Sequence, residues 1–275
     1  MATSQRVVFP IHVTYRSNGL TLWGNIWRAK RNAPSPVLVW NHSTLGPEPE
    51  LLENTTGLTS PLDVWLSNGL SVFAPTRRGY DGAEGEPLPE VLNSAPNGSS
   101  ELQEGLIKRL VGEKEDLLAG VEFLKAQDWV NPNLIFSAGY GFGAIVTLLA
   151  MAESKDLRGG IGFSIAGLLW DDYPKIQALL MDKAAKIKNP LLLLNSADGY
   201  NDEPAKKLVQ KLRKGSAKSN SIVYPSRGLS RAEGHDFFAY SHQWVHDAEQ
   251  FLSVPNALLS TSVVVSRGSG SACCR

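Results

Sequence analysis

Three glycines alternate with two aromatic residues in the middle of the chain, in the segment Gly139–Gly143. The segment joins the apolar run Asn133–Ala138, which predicts a strand, to Phe142–Ala152, which is apolar almost all round and predicts a buried helix. Glycine on both sides of a central residue lets the chain turn sharply between two such elements, and this kind of turn can present a nucleophilic side chain. Here the central residue is Gly141, which has no side chain that could attack a carbonyl carbon.

Two further segments contain residues suited to acid–base chemistry, and each follows a predicted strand. His235 lies in Glu233–Phe238, a predicted loop before the last helix, and an imidazole can serve as a general base near neutral pH. Asp198 comes just after Leu191–Leu194, where an ionised carboxylate could fix the tautomer of that histidine. Asp202 is the reserve candidate for the acid. Taken alone, such an aspartate is more typical of a turn or a helix cap.

Two other histidines, His242 and His246, lie four residues apart and therefore on one face of the predicted last helix. They could bind a metal ion, but no acidic or cysteine partner completes a known ligand pattern around them. We therefore predict no metal site and no cofactor. His235 is the preferred base because it comes last in the chain order of nucleophile position, acid and base.

The elements that must position these residues alternate along the chain. The predicted strands are Val7–Tyr15, Leu20–Trp27, Pro36–Trp40, Leu70–Ala74, Asn133–Ala138, Ile161–Ile165, Leu191–Leu194 and Ser221–Tyr224. The predicted helices are Pro61–Asn68, Glu101–Gln127, Phe142–Ala152, Pro204–Lys214 and Phe237–Leu252. This alternation indicates an α/β fold with a mostly parallel central sheet of about eight strands and helices on both faces.

One domain is expected over residues 1–253, because α/β folds of this size are often undivided. Residues 79–100, which are rich in Gly, Pro, Asn and Ser, and residues 166–189 are expected to form small lid segments. Gly112 predicts a break in the longest helix. Residues 254–275 are expected to form a flexible C-terminal tail.

Composition and charge exclude several classes of function. The 27 basic and 27 acidic residues balance, so no overall field would attract nucleic acid or an anionic membrane. No apolar run approaches the ~20 residues that a membrane span needs. Because the only cysteines are Cys273 and Cys274, the folded part has no disulfide and no thiolate metal site. The segment Met1–Arg6 lacks the apolar core of a signal peptide, so we expect a cytoplasmic protein.

These segments together resemble the α/β-hydrolase superfamily, in particular its dienelactone-hydrolase-like and prolyl-oligopeptidase-like branch, over about residues 20–252. In that family the position of Gly141 holds Ser, occasionally Cys or Asp. The resemblance implies that Asp198 is the acid and His235 the base of a catalytic triad. It also implies a structural role for Arg78, which lies in a segment similar to the one after the family's fourth strand.

The segment Trp40–Gly46 resembles the His–Gly oxyanion loop of the same family, with Ser43 where the family has Gly. The resemblance implies that this loop and the backbone N–H of Phe142 bind a developing oxyanion. Ser43, Thr44, Tyr140 and Phe142 are therefore the expected oxyanion and substrate-binding residues.

The resemblance implies a pocket for a small ester, lactone or thioester. Since residue 141 is glycine, the usual acyl-enzyme cannot form there, and serine-type hydrolysis through that position should be absent or much reduced. The protein could instead be a non-enzymatic ligand-binding or regulatory member of the superfamily. Alternatively, His235 and Asp198 could carry out general-base catalysis without a covalent intermediate, as in a lyase, cyclase or isomerase.

Two more alternatives concern the same segments. The alternating glycines at the start of the Phe142 helix could hold a phosphate, which would make this an anion- or nucleotide-binding protein. Ser43 or Thr44 could act as a substitute nucleophile, although the side chains of an oxyanion loop need not face His235.

Overall fold

The computed structural model describes residues 9–44, 60–216 and 218–252. The expected tail, residues 254–275, lies outside the described residues, as do the start of the first predicted strand at Val7 and the end of the proposed oxyanion loop. None of the described helices combines the length and the apolar character that a membrane span requires.

Eight strands form one sheet in the order β1-β2-β4-β3-β5-β6-β7-β8. They are β1 Ile11–Ser17, β2 Leu20–Trp27, β3 Ser35–Asn41, β4 Ser71–Pro75, β5 Val130–Tyr140, β6 Leu157–Phe163, β7 Leu191–Ser196 and β8 Asn220–Tyr224. β2 pairs antiparallel with β1 and β4, whereas all the other pairings, from β4-β3 to β7-β8, are parallel. The mostly parallel sheet that the sequence predicts is therefore confirmed.

Helices cover both faces of this sheet. They are α1 Pro61–Ser67, α2 Leu88–Leu92, α3 Ser100–Lys125, α4 Phe142–Glu153, α5 Pro174–Ala184, α6 Glu203–Gly215, α7 Arg231–His235 and α8 Ser241–Leu252, with a 3₁₀ turn at Phe237–Ala239. Successive residues of β3 enter opposite apolar layers, because side chains of a strand alternate between its faces. Val37 and Val39 pack with α3 to α6, and Leu38 and Trp40 pack with α1 and α8.

The helices differ from the prediction in several places. α3 runs unbroken through Gly112, so the predicted break is wrong. A Cβ atom on Gly112 would lie 2.4 Å from the guanidinium of Arg78, which shows that this glycine makes room for a neighbouring side chain. The predicted helix Phe237–Leu252 is divided at Tyr240, and α5 lies in a segment for which the sequence predicted only a lid.

Candidate active site

The turn between β5 and α4 consists of Gly141 alone, with φ 57° and ψ −114°. We call residues 139–143 the elbow. A Cβ atom on Gly139 would lie 2.3 Å from the carbonyl oxygen of Gly143, and one on Gly143 would lie 2.1 Å from the carbonyl oxygen of Asn41. Both flanking positions therefore require glycine, because a Cβ atom would collide with backbone atoms. This steric requirement explains the spacing of the two glycines, and no bound phosphate is needed to explain it.

Gly141 faces two side chains that could do chemistry. A Cβ atom built on this glycine would lie 2.5 Å from Oγ of Ser43 and 3.2 Å from Nε2 of His235. A side chain at residue 141 would thus point at the imidazole, as a nucleophile next to its base must. The positive φ is a backbone conformation that glycine adopts without strain.

A cavity of about 100 Å³ opens in front of this turn. Its walls come from the loop after β3, from α2, α3 and α4, and from the segment after β6. The lining residues are Ser43, Thr44, Leu88, Leu92, Leu106, Gly141, Phe142, Ile145, Ser164, Ala166, Gly167, Leu168, Leu169 and His235. Most are apolar, so the cavity suits a small apolar group with one polar end.

His235 is the last residue of α7, where the sequence predicted a loop. Its backbone carbonyl accepts a hydrogen bond of 2.7 Å from the hydroxyl of Ser164. Its ring lies between the rings of Tyr140 and Tyr200, with centroids 5.3 Å away on both sides. Burial lowers the pKa of His235, while the charge of Asp236 raises it. The imidazole is consequently neutral at pH 7 and able to accept a proton.

Tyr140, one of the predicted oxyanion and substrate-binding residues, is not among the residues that line the cavity, and its ring lies next to that of His235. Its hydroxyl donates a 2.6 Å hydrogen bond to Oδ1 of Asp236, and its ring stacks on Phe238 at 4.3 Å. The structure therefore places Tyr140 as a support for the histidine loop. The sequence reasoning missed Asp236, although it stands next to His235 in the quoted segment.

Asp198 follows β7, as predicted, but its carboxylate has other partners. It accepts hydrogen bonds from the hydroxyl of Ser226 and from the backbone N–H of Arg227, the latter at 2.7 Å. The bond from Arg227 and then that from Ser226 lower the pKa of Asp198. Its backbone lies against Gly234, where a Cβ atom would come within 2.4 Å of it. Across the described residues, no hydrogen bond joins Asp198 to His235.

Asp202, His242 and His246 do not line the cavity. Asp202 precedes α6 and forms an ion pair of 2.7 Å with Lys206. His242 and His246 are exposed on α8, and Nε2 of His242 lies 3.1 Å from the guanidinium of Arg227. In residues 9–44, 60–216 and 218–252, no group of three or more His, Cys, Asp or Glu could hold a metal ion.

Comparison with known proteins bears on this arrangement. No family model and no curated protein sequence matches the chain. An esterase of Pyrococcus furiosus is 15% identical and aligns over 89% of this chain and 91% of its own, with a TM-score of 0.61. A Klebsiella pneumoniae protein assigned to the dienelactone hydrolases is 17% identical and aligns over 89% and 98%, with a TM-score of 0.62. This chain has the α/β-hydrolase fold.

A third structure is of the prolyl-oligopeptidase-like type. The acylaminoacyl peptidase of Pyrococcus horikoshii is 18% identical, with a TM-score of 0.62, and aligns over 89% of this chain but only 42% of its own. These three relatives match the branch that the motifs indicated. At such identities the likeness concerns the fold, so function has to be argued from the site.

The loop after β3, which the sequence predicts to bind an oxyanion, is held by buried hydrogen bonds. Nε2 of His42 accepts a 3.1 Å hydrogen bond from the backbone N–H of Arg77, so Nδ1 carries the proton and donates at 2.8 Å to the carbonyl of Ser43. The guanidinium of Arg77 donates to the carbonyl of His42, pairs with Glu113 at 3.0 Å and lies 4.9 Å from the ring centre of Phe142. These contacts fix the backbone around Ser43.

Arg78 has the structural role that the resemblance implied for it in the α/β-hydrolase fold. Its Nε and Nη2 atoms donate to the two carboxylate oxygens of Asp116, at 2.5 and 2.6 Å, and Nη2 also donates to the carbonyl of Gly112. Two parallel hydrogen bonds of this kind fix both partners in orientation. Arg78 therefore attaches the segment after β4 to α3.

Ser164 and Ala166 are further site residues that sequence reasoning missed. Both line the cavity and have left-handed backbone, with φ of 50° and 55°. Non-glycine residues rarely adopt this conformation, and it concentrates at functional sites. No residue type in the segment signals it, so only the structure could find it.

Proposed function

We propose that this protein binds a small ester, lactone or thioester in the cavity at Gly141 and that His235 is the general base of the site. One observation carries the proposal. A side chain at residue 141 would border the cavity, and its Cβ atom would lie 3.2 Å from Nε2 of His235. On this proposal the protein is a hydrolase with an altered nucleophile position.

The elbow supplies the electrostatic part of the site. The first N–H groups of a helix have no partner within the helix, and the N-terminus of α4 faces the cavity at Phe142. The substrate carbonyl oxygen would lie there, where the N–H of Phe142 and the positive end of the helix dipole stabilise a developing oxyanion.

The carboxylate that supports His235 has two candidates. The sequence indicates Asp198, whose backbone lies beside the histidine loop but whose carboxylate is bound by Ser226 and Arg227. The electrostatics favour Asp236, the group that raises the pKa of the imidazole and is itself held by Tyr140. We assign the support of His235 to Asp236.

Restoring a serine at residue 141 tests the site. Because Oγ of Ser43 would lie 2.5 Å from the new Cβ, the test uses Ser43→Gly as the background, which clears the space and removes that hydroxyl. Adding Gly141→Ser to this background should raise hydrolysis of p-nitrophenyl acetate by about 100-fold or more.

The matched control adds His235→Ala to the double variant, and it should return the rate to that of Ser43→Gly alone. A folded double variant that binds the ester without gaining hydrolysis would mean that His235 does not serve this position. In that case a ligand-binding protein without turnover would be the better interpretation.

A further inference from the structure

We propose that Ser43 is the nucleophile of this site, acting with His235 as its base from the side opposite to the elbow. This inference rests on the proposed function, and it names the group that forms the covalent bond. Attack would come from the oxyanion loop after β3 and not from the turn after β5.

The geometry places the Ser43 hydroxyl where an elbow side chain would otherwise be. Oγ of Ser43 and Nε2 of His235 lie 2.5 and 3.2 Å from the same point, the Cβ position of residue 141. Because Gly141 leaves that point empty of side chain, the hydroxyl and the imidazole border the same open space. Ser43 also lines the cavity in which the carbonyl group would bind.

Other hydroxyl groups near the elbow are placed less well for attack. The hydroxyl of Ser164 donates to the backbone carbonyl of His235 and therefore holds the histidine in place. Ser137 is fully buried in β5, where its hydroxyl contacts Thr147 at 3.1 Å and accepts from Asn41. Thr44 lines the cavity but is exposed, and the contact within 2.5 Å of the Cβ position is made by Ser43.

The backbone of Ser43 is fixed while its hydroxyl can turn. Nδ1–H of His42 donates to the carbonyl of Ser43, and Arg77 holds His42 from two sides. Rotation about the Cα–Cβ bond moves Oγ between staggered positions without disturbing these bonds. A hydrogen bond from Oγ to Nε2 of His235 would thus form on substrate binding, as catalytic hydrogen bonds often tighten only in the complex.

The reaction balances with water as the only co-reactant. Oγ of Ser43 attacks the carbonyl carbon while its proton moves to Nε2 of His235, and the carbonyl electron pair moves onto the oxygen at the N-terminus of α4. The bond from carbon to the leaving oxygen or sulfur then breaks, and the leaving group takes the proton from His235. Water, deprotonated by His235, attacks the Ser43 ester, and Oγ leaves with the proton.

Covalent labelling of the full chain with a fluorophosphonate tests the assignment, since this reagent phosphonylates an activated serine with loss of fluoride. We expect one label per chain, and peptide fragmentation should place it on Ser43. Ser43→Ala should abolish the label, and His235→Ala should slow labelling by about 100-fold or more. Ser67→Ala is the matched control, because Ser67 is exposed at the end of α1 and its hydroxyl donates only to its own helix at the carbonyl of Val64.

Hydrolysis of p-nitrophenyl acetate supplies the second readout. Ser43→Ala should lose the acetyl-enzyme seen by mass spectrometry, whereas Ser43→Cys should form the corresponding thioester, which shows that the loop is intact.

The inference is overturned by a label on Ser164 or Thr44, by full labelling of Ser43→Ala, or by no acylation of the wild type. If Ser43→Ala still hydrolyses the ester in a His235-dependent way, Ser43 is not the nucleophile but the proposed function stands. If the variant with Ser43→Gly and Gly141→Ser also gains no hydrolysis, both the assignment of Ser43 as nucleophile and the proposed function are rejected.

Discussion

The elbow and the histidine loop meet at the same cavity, but they are held in different ways. At the elbow, backbone packs on backbone: Gly139 and Gly143 each leave no space for a Cβ atom. At the histidine loop, side chains hold the structure, through Ser164 below His235 and through Tyr140 on Asp236. The elbow thus keeps its shape although its central side chain is missing, because that side chain does not support the turn.

The difference teaches where a site can change without losing its form. An elbow fixed by glycines tolerates a different central residue. The chain has Gly at residue 141 and Ser at residue 43, the reverse of the pattern in the family that its sequence resembles. A loop fixed by hydrogen bonds depends on each partner. Asp198 illustrates this dependence, because its carboxylate accepts hydrogen bonds from Ser226 and Arg227 and is thereby held in place by these partners.

The largest expected effect would test the backbone packing of the elbow. Gly143→Ala places a Cβ atom 2.1 Å from the carbonyl oxygen of Asn41, and backbone on both sides cannot move apart cheaply. We expect a loss of about 3 kcal/mol in the free energy of unfolding, measured by urea denaturation.

Gly105→Ala is the matched control for this variant. Gly105 lies inside α3, and its Cβ atom would meet only Cγ1 of Val91 at an ordinary 3.5 Å. This change should stabilise the protein by about 0.5–1 kcal/mol, because alanine favours a helix over glycine. Equal losses in the two variants would show that the elbow is no more tightly packed than an average glycine site.

A smaller effect concerns His42, the buried histidine beneath the elbow. Burial and then the charge of Arg77 lower its pKa well below 6.5, so the folded state keeps it neutral. Below about pH 6.5 the unfolded chain takes up a proton that the folded chain refuses, so stability falls as the pH falls. Below about pH 6.5, His42 makes the free energy of unfolding fall by up to about 1.4 kcal/mol for each pH unit that is lost. Above about pH 6.5, its contribution no longer changes with pH.

Urea denaturation between pH 5 and 8 measures this slope. His42→Gln should reduce it, while His246→Gln, at an exposed position of α8, should leave it as in the wild type. An unchanged slope in His42→Gln would contradict a neutral, buried His42 as a support of the loop after β3.

The sequence predicted the features that depend on local pattern. Short apolar runs alternating with amphipathic segments gave the sheet and the main helices, and the glycine spacing gave the elbow, because steric demands are local. The helix break at Gly112 was predicted wrongly for the opposite reason. That glycine is needed by Arg78, which is far away in the chain.

The contacts within the site could not be predicted in the same way. Motif order indicated Asp198 as the partner of His235, but no motif records that Ser226 and Arg227 come within hydrogen-bonding distance of its carboxylate. Nor does the sequence show that the Ser43 hydroxyl points at the vacant side-chain position of Gly141. Such contacts are made by loops whose conformations depend on the whole fold.

The smallest expected effect separates the two carboxylates of the histidine loop. Asp236 raises the pKa of His235, so Asp236→Asn should lower it further and move the titration of the imidazole, followed by NMR, to lower pH. Asp198→Asn should leave that titration in place, since the carboxylate of Asp198 is bound by Ser226 and Arg227. If activity requires neutral His235, the acid limb of the kcat/KM profile should move to lower pH in Asp236→Asn alone. A shift in Asp198→Asn instead would mean that this side chain turns to the imidazole in solution, and the acid implied by the family resemblance would replace Asp236.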